Sequence, residues 1–597
     1  MTIQLTRRSA VAFLGATALS ATVLRQAIAA GESAVDAAFG KVSAKWLEDS
    51  LRLAPVGATQ TGDHRFDGDL DDMSAGGRVV RSNAWKDALA QLTMLDRSKL
   101  TRANQVDAAL LLTEVKRAIW QEEVFQDWAW DPQVYSGIYS NAVYGLLSRE
   151  FAPLPQRMAS AVSRMEKLPR LFADMRANLV VARVPEIHAK TASRQLPGVM
   201  SVVDEMVTPN AGALDAAGKA RLTAATDGLK KAVAEHQAWI DGTLVPGAKG
   251  DFRIGAKLFD EKLRFTLDSP MTRQEIRAAA DKAKAETREA MYLVSLTALT
   301  QAGTPAPLMD RARTPEEKQA IIEQALALAY AQKPPADKVV ETCTEALNRA
   351  TDFVKAKNLV TLPDAPVAIE TMPVFSQGVA VAYCNSPGPL DKGLKTYVDV
   401  SPIPKDWTKE QADSFLREYN MFGIQDVAVH EAMPGHYLQI WHSNRYPSIV
   451  RAVLGSGSFI EGWAVYSEKM MVEEGFRKDE PLNELCMLKV RLRTITNAIL
   501  DQMVHVDGIS QDDAVKVLMV KEAFQQEREA AGKWVRAQLS STQLSTYFVG
   551  VSEHDALRAE AQEREGFELK TYHDKVLSFG SPPARYVRAL MFDRPIG

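Results

Sequence analysis

The densest concentration of reactive side chains in this 597-residue chain lies between positions 426 and 468. His430, Glu431 and His436 fall within one short segment, Asp426-Val-Ala-Val-His-Glu-Ala-Met-Pro-Gly-His436. Neutral imidazole and carboxylate are the usual zinc donors where thiolate is absent. The three cysteines, Cys343, Cys384 and Cys486, are too few for a cysteine-rich metal site or a disulfide framework. In H-E-x-x-H helices the histidines stand four apart on one face and the glutamate acts as base. Here the spacing is six, which on an unbroken helix sets the side chains about 120° apart around the axis and about 9 Å apart along it. That geometry excludes chelation of one ion. Pro434-Gly435 offers the way out, because proline interrupts the hydrogen-bond ladder and glycine accepts unusual dihedrals. A kink there is a condition for a shared ion.

A catalytic zinc site needs a third protein ligand and an open position. Glu461 follows His436 by 25 residues, within Ser-Phe-Ile-Glu461-Gly-Trp-Ala-Val-Tyr-Ser-Glu468. Apolar neighbours on both sides predict a buried carboxylate, which is costly unless paired or metal-bound. Glu461 is the first choice of ligand, and Glu468 is the alternative ligand or an outer partner of one.

The pair His430-Glu-Ala-Met-Pro-Gly-His436 and Glu461-Gly-Trp-Ala464 resembles the bacterial domain-of-unknown-function family 885, itself similar to the α-helical gluzincin peptidases. Ala58-Thr59 with Gly62-Asp-His-Arg65, and Tyr572-His-Asp574 with Gly580, resemble the family's outer signatures, so the likeness extends over nearly the whole mature chain. It implies that His430, His436 and Glu461 hold one zinc ion and that Glu431 activates the hydrolytic water. Physically, Glu431 lies about 100° around the helix from His430, beside the ion. The resemblance also directs attention to the C-terminal third for an oxyanion donor: Tyr547 first, His573 second, with Arg536 available for a substrate carboxylate.

The elements that must position these groups are mostly helical. Val35, Phe39, Val42 and Trp46 recur at helical spacing with Trp46 in the core, and residues 103–123, 156–181 and 217–240 read as further helices. Thr272-Arg-Gln-Glu275, Thr314-Pro-Glu-Glu317 and Thr408-Lys-Glu-Gln411 are capping boxes opening others. Residues 55–77 read as a long turn-rich segment. Residues 357–407 hold seven of the 28 prolines but also β-favouring stretches at 379–383 and 396–400, and so predict a small β element. Its 379–383 stretch is a candidate edge for binding extended peptide. His188, His236 and His554 sit in charged helical contexts and are expected to be exposed; His442 marks a helix end, and Asp501 with His505 a structural hydrogen bond.

Composition narrows the classes. With 71 basic and 75 acidic residues, nothing advertises nucleic acid, and 46% hydrophobic residues exclude wholesale disorder. Arg7-Arg8, an uncharged run to Leu24 and Ala27-Ile-Ala29 resemble a twin-arginine leader covering residues 1–29. The run is short for a membrane span, so stable membrane insertion is not expected after cleavage. The expectation is therefore a periplasmic, mainly α protein with a large helical gluzincin-like body and a small β element lining a deep active-site cleft. Its parts are 1–29, then 30–356, then 357–597, the last two forming one catalytic unit. The expected activity is zinc-dependent hydrolysis of short peptides. The alternatives are a non-catalytic metal- or peptide-binding protein and a zinc amidohydrolase acting on a non-peptide amide. No G-x-S-x-G elbow supports a serine hydrolase.

Overall fold

The computed structural model describes residues 33–304, 313–364, 367–372, 381–405 and 407–596. Residues 1–29, expected to be a twin-arginine leader, lie outside these residues. What they form is mainly α, with one three-stranded sheet.

The periodic runs become α1 (Ala34–Leu53), α3 (Arg102–Trp120), α4 (Leu154–Asn178) and α5 (Ala216–Trp239). Between the first two, residues 55–77 are less irregular than their composition predicts: α2 (Pro55–Thr61) is helical. Its support comes from distant groups. The Val56 N–H donates to Asp71 at 3.0 Å, and the buried Arg164 guanidinium donates to Pro55 O at 2.9 Å and Thr59 Oγ1 at 2.7 Å. The capping boxes at Thr272, Thr314 and Thr408 all form, opening α6 (Arg273–Gln301), α7 (Pro315–Tyr330) and, further on, α9 (Lys409–Glu418). Helix α8 (Val339–Lys357) leads into the sheet.

The sheet comprises β1 (Ala368–Thr371), β2 (Ala382–Asn385) and β3 (Tyr397–Val400) in the order β1-β3-β2, parallel for β1 with β3 and antiparallel for β2 with β3. β2 is therefore an edge strand. Ser401 N donates to Val381 O, so by the alternation of an antiparallel ladder Ala382 and Cys384 turn their backbone groups to the edge away from β3. The N-terminal helices hold this element in place. Arg149 donates to Asn385 O and Lys395 O, both at 2.8 Å, and Leu390 N donates to Thr61 O at 2.9 Å. His64 bridges Asp67 and Asp391, its Nε2 lying 3.0 Å from Asp391 Oδ1, and stacks on Phe151. The signature around Gly62-Asp-His-Arg65 thus works as a clamp on the β segment.

Helices α10 (Gly423–Glu431), α11 (His436–Ser443), α12 (Gly457–Glu473), α13 (Pro481–Gln502), α14 (Glu527–Leu539), α15 (Ser545–Gln562) and α16 (Leu569–Leu577) complete the part that carries the motifs. α12 and α15 cross with almost no separation. A Cβ on Gly462 would stand 2.4 Å from the Gly550 carbonyl carbon, so both positions require glycine. The hydrophobic cores extend across residue 357: Phe259 and Ile276 pack with Ile495 and Phe548, and Phe39 and Trp46 with Val450.

Candidate metal centre and adjoining cavity

The two histidines come from successive helices. α10 ends at Glu431, and four residues reverse the chain before α11 begins at His436. The Met433–Pro434 peptide is cis. Gly435 N donates to Val429 O at 2.9 Å, and Trp463 Nε1 donates to Pro434 O at 2.8 Å, tying the reversal to α12. A Cβ at Gly435 would lie 1.9 Å from His430 O, so only glycine fits this approach. The break at Pro434-Gly435 returns His436 to His430, with ring centroids 4.7 Å apart.

Glu461, on the first turns of α12, meets both rings. Its Oε2 is 3.7 Å from His430 Nε2 and 3.5 Å from His436 Nε2, and one donor atom from each of the three residues lies within 4.8 Å of the others. The edge of a tetrahedron around zinc is about 3.3 Å for ligand bonds of 2.0–2.1 Å. The spacing and the two-imidazole, one-carboxylate donor set therefore suit that ion with little movement. His430 Nδ1 is 2.6 Å from Glu468 Oε1, the carboxylate–histidine contact that orients a metal-binding imidazole. Burial disfavours a charged His430, but Glu461, Glu468 and Glu431 together push its pKa well above the ordinary value. Burial likewise raises the Glu461 carboxyl, yet the His430 and His436 rings outweigh it and hold the group well below the usual carboxylate range. Burial and the charge of Glu468 push Asp426 well above its ordinary value, against His430 and Arg493. Among the described residues, His436 Nδ1 and Glu468 Oε2 are buried without a hydrogen-bond partner.

Glu431 is held from the sheet: the outward Cys384 N–H donates to its Oε2 at 2.9 Å. Glu431 borders on a cavity of about 260 Å³ whose wall also includes His430, Ala382, Tyr383, Arg536 and Tyr547. Val381 and Tyr383, from the proposed edge at 379–383, also line it, while 379 and 380 lie outside the described residues. Arg536 Nη2 donates to the Tyr547 hydroxyl oxygen at 3.1 Å and to Gln543 Oε1 at 2.7 Å, leaving the phenol proton to be given elsewhere.

His573 is not part of this arrangement. It is fully buried, with Nε2 2.7 Å from the Tyr466 hydroxyl and Nδ1 2.8 Å from Leu359 O, so both ring nitrogens are committed to structure. The other histidines also differ from expectation. His188, His236 and His554 are buried, not exposed. His188 bridges Asp131 and Gln538 O, His236 stacks between Phe172 and Trp239, and His554 sits 3.1 Å from Phe459 O. Tertiary packing supplied ring partners that a one-dimensional charge pattern does not contain. His442 does mark a helix end, its Nε2 2.9 Å from Thr361 O. The expected Asp501–His505 hydrogen bond is not formed: Asp501 accepts from Thr542 N and Ser545 N, while His505 Nε2 lies 2.8 Å from Ala537 O, because the end of α14 and the chain after it supply partners to both groups.

The sequence singles out neither Arg493 nor Lys533, though the segment Lys533–Arg536 is rich in possible donors; both line the same cavity. A signal was present: Lys489 and Arg493 stand four residues apart within the mostly apolar run Leu485–Leu500, and Glu529 and Lys533 form an opposite-charge pair at the same spacing.

Fold and site together define a mainly α protein with a His/His/Glu cluster beside an edge strand. The chain belongs to the family described as bacterial protein of unknown function (DUF885), whose pattern matches residues 55–591. It is similar to a solved structure from Shewanella oneidensis, described as a candidate lipoprotein of unknown function, with 33% identity and a TM-score of 0.79 over 93% of this chain and 99% of that one. A candidate lipoprotein from Colwellia psychrerythraea shares the fold at 16% identity, with a TM-score of 0.74 over the same shares of the two chains. No curated protein matches.

Proposed function

We propose that this protein is an exported, zinc-dependent hydrolase, a metallopeptidase that cleaves short peptides in the periplasm. The observation that carries the reading is the meeting of His430, His436 and Glu461, with His430 and the adjacent Glu431 on the wall of a cavity that Tyr547 and edge-strand residues Ala382 and Tyr383 also line. The motif resemblance to gluzincins supports it. The Arg7-Arg8 leader and the likeness to proteins described as candidate lipoproteins support export.

His430, His436 and Glu461 would hold the ion. When bound, zinc supplies Lewis acidity, bringing a water toward a pKa of about 7 and polarising the scissile carbonyl. The remaining work belongs to the chain. Glu431, with Oε2 fixed by Cys384 N–H, presents Oε1 to take the proton of the attacking water and pass it to the departing amine. Tyr547 donates its hydroxyl proton to the oxyanion that develops at the attacked carbonyl. Ala382 and the Cys384 carbonyl offer outward backbone groups with which an extended peptide can pair, the Cys384 N–H being held by Glu431. Glu468 fixes the His430 ring. No covalent enzyme intermediate is needed, because water is the nucleophile. The position of Glu431 favours hydrolysis over mere metal binding, which has no use for a carboxylate beside the first histidine.

The test is digestion of a peptide library with and without chelator, the cuts located by mass spectrometry. Chelator-sensitive cleavage restored by zinc is expected. Absence of any cleavage by the zinc-loaded protein would overturn the assignment.

A further inference from the structure

The cavity beside Glu431 has two unlike walls. One carries His430, Glu431, Asp426 and Glu468; the other carries Arg493, Lys533 and Arg536 from α13 and α14. The cations of the second wall and its surroundings outnumber their acids. Lys489 closes a tight pair with Glu418 at 2.7 Å. Glu529 is then shared, 3.7 Å from Arg493 and 3.5 Å from Lys533, with Glu418 a further 3.8 Å contact of Arg493. Arg536 is left with neutral partners only, Gln543 and Tyr547, and no carboxylate among the described residues pairs with it.

This imbalance is partly withdrawn from water. The Lys533 side chain is only 7% exposed yet lines the cavity. Burial, with Arg493 and Arg536 close by, outweighs Glu529 and lowers its pKa to about 8. A charge withdrawn from water as Lys533 is attracts an anion more strongly than one in bulk solvent, since the effective dielectric is low, while the Arg536 guanidinium beside it is exposed and open to a ligand. Arg536 also stands at a junction: Tyr419, Glu529, Lys533 and Arg536 border both this cavity and a neighbouring one of about 610 Å³. The smaller space, about 260 Å³, lies below the usual range for a drug-sized ligand and admits on the order of one or two residues beyond the scissile bond.

We infer that Arg536 and Lys533, backed by Arg493, form a subsite for a carboxylate of the substrate peptide, in the first instance its free C-terminus. This rests on the peptidase reading above and adds a substrate class to it: short peptides with an unblocked C-terminus, cut close to that end. A planar guanidinium supplies paired donors matched to a carboxylate, and the Lys533 ammonium adds charge behind it.

Binding tests this apart from turnover. An N-acetylated tripeptide, its C-terminal amide, and that amide with glutamate at its last position are titrated calorimetrically into the E431Q protein, both metal-free and zinc-loaded. The free acid is expected to bind at least tenfold more tightly than the plain amide. R536Q and K533M should each shrink that ratio, R536Q to within twofold, while R536K keeps part of it. If the glutamate amide binds as the free acid does, the subsite stands and accepts a side-chain carboxylate as well. Equal affinity of acid and plain amide for the E431Q protein with its cationic wall unsubstituted, which needs no wall variant to fold, overturns the proposal, as does an R536Q protein that keeps the preference. Failure of wild type to hydrolyse any peptide would sink the peptidase reading and leave this measurement intact. Cleavage of amides as fast as acids would sink the subsite alone.

Discussion

Replacing Gly435 by alanine probes the step that makes a six-residue histidine spacing workable. The added Cβ would stand 1.9 Å from His430 O and 2.4 Å from Val429 O, whereas real Cβ contacts stay above 3.0 Å. The obstructing atoms are backbone, with no side chain to rotate away, so the reversal must open by about 1 Å. Metal sites tolerate ligand displacements of about 0.2 Å. His436 would therefore leave the range in which it can share an ion with His430 and Glu461. Zinc affinity is expected to fall by on the order of 100-fold, about 2.7 kcal/mol. Overpacking should cost about 1–3 kcal/mol of stability besides. Calorimetric titration of zinc into chelator-stripped protein measures the first, and denaturant unfolding the second. Gly457→Ala is the matched control, since a Cβ there meets nothing within 4 Å. If Gly435→Ala bound zinc as tightly as wild type in an unchanged fold, the return of His436 would not depend on this glycine and the reasoning would fail.

Three further outcomes follow from the same geometry. Glu431→Gln should retain about one zinc per chain by elemental analysis while hydrolysis drops below detection; loss of the metal, or retained turnover, would remove Glu431 from the role of base. Glu468→Gln should weaken zinc binding by about 10–100-fold, because the carboxylate that orients His430 at 2.6 Å is replaced by a neutral amide; unchanged affinity would contradict that orienting role. The His64 clamp should give stability a pH dependence. Burial opposes the charge, but hydrogen bonds to Asp391 and Asp67 raise the pKa from 6.5 to about 9. Because the folded-state value is the higher one, the stabilisation, on the order of 3 kcal/mol, is fully present below pH 6.5 and is lost as pH rises through about 9. Unfolding of wild type and His64→Ala across that window should converge on the alkaline side, and a constant difference would refute the assignment.

Much of the helical framework was legible because it is encoded locally. The Thr272, Thr314 and Thr408 capping boxes and the Val35–Trp46 periodicity rest on contacts three or four residues apart, and all appear where the sequence put them. The small β element was legible from composition, though the order β1-β3-β2 was not. Helix α2 was misread because its stabilising partners, Asp71 and Arg164, lie 15 and 109 residues from the groups they bond. The buried histidines were misread for the same reason.

The sequence by itself determined the donor types, the need for a break between His430 and His436, and a carboxylate as the third partner, since these follow from side-chain chemistry and helix pitch. Only the tertiary structure decided how the donors meet. It brought Glu461 to within 3.5 and 3.7 Å of the two rings, assigned Glu468 to the far side of His430, and withdrew His573 into the core. It also set an edge-strand N–H against Glu431 and gathered Arg493, Lys533 and Arg536 on one wall. Spacing along a chain fixes distances only over a helical turn or two. Beyond that the positions of charged groups are set by which helices pack together, and close approaches such as Gly462 on Gly550 decide that packing in three dimensions.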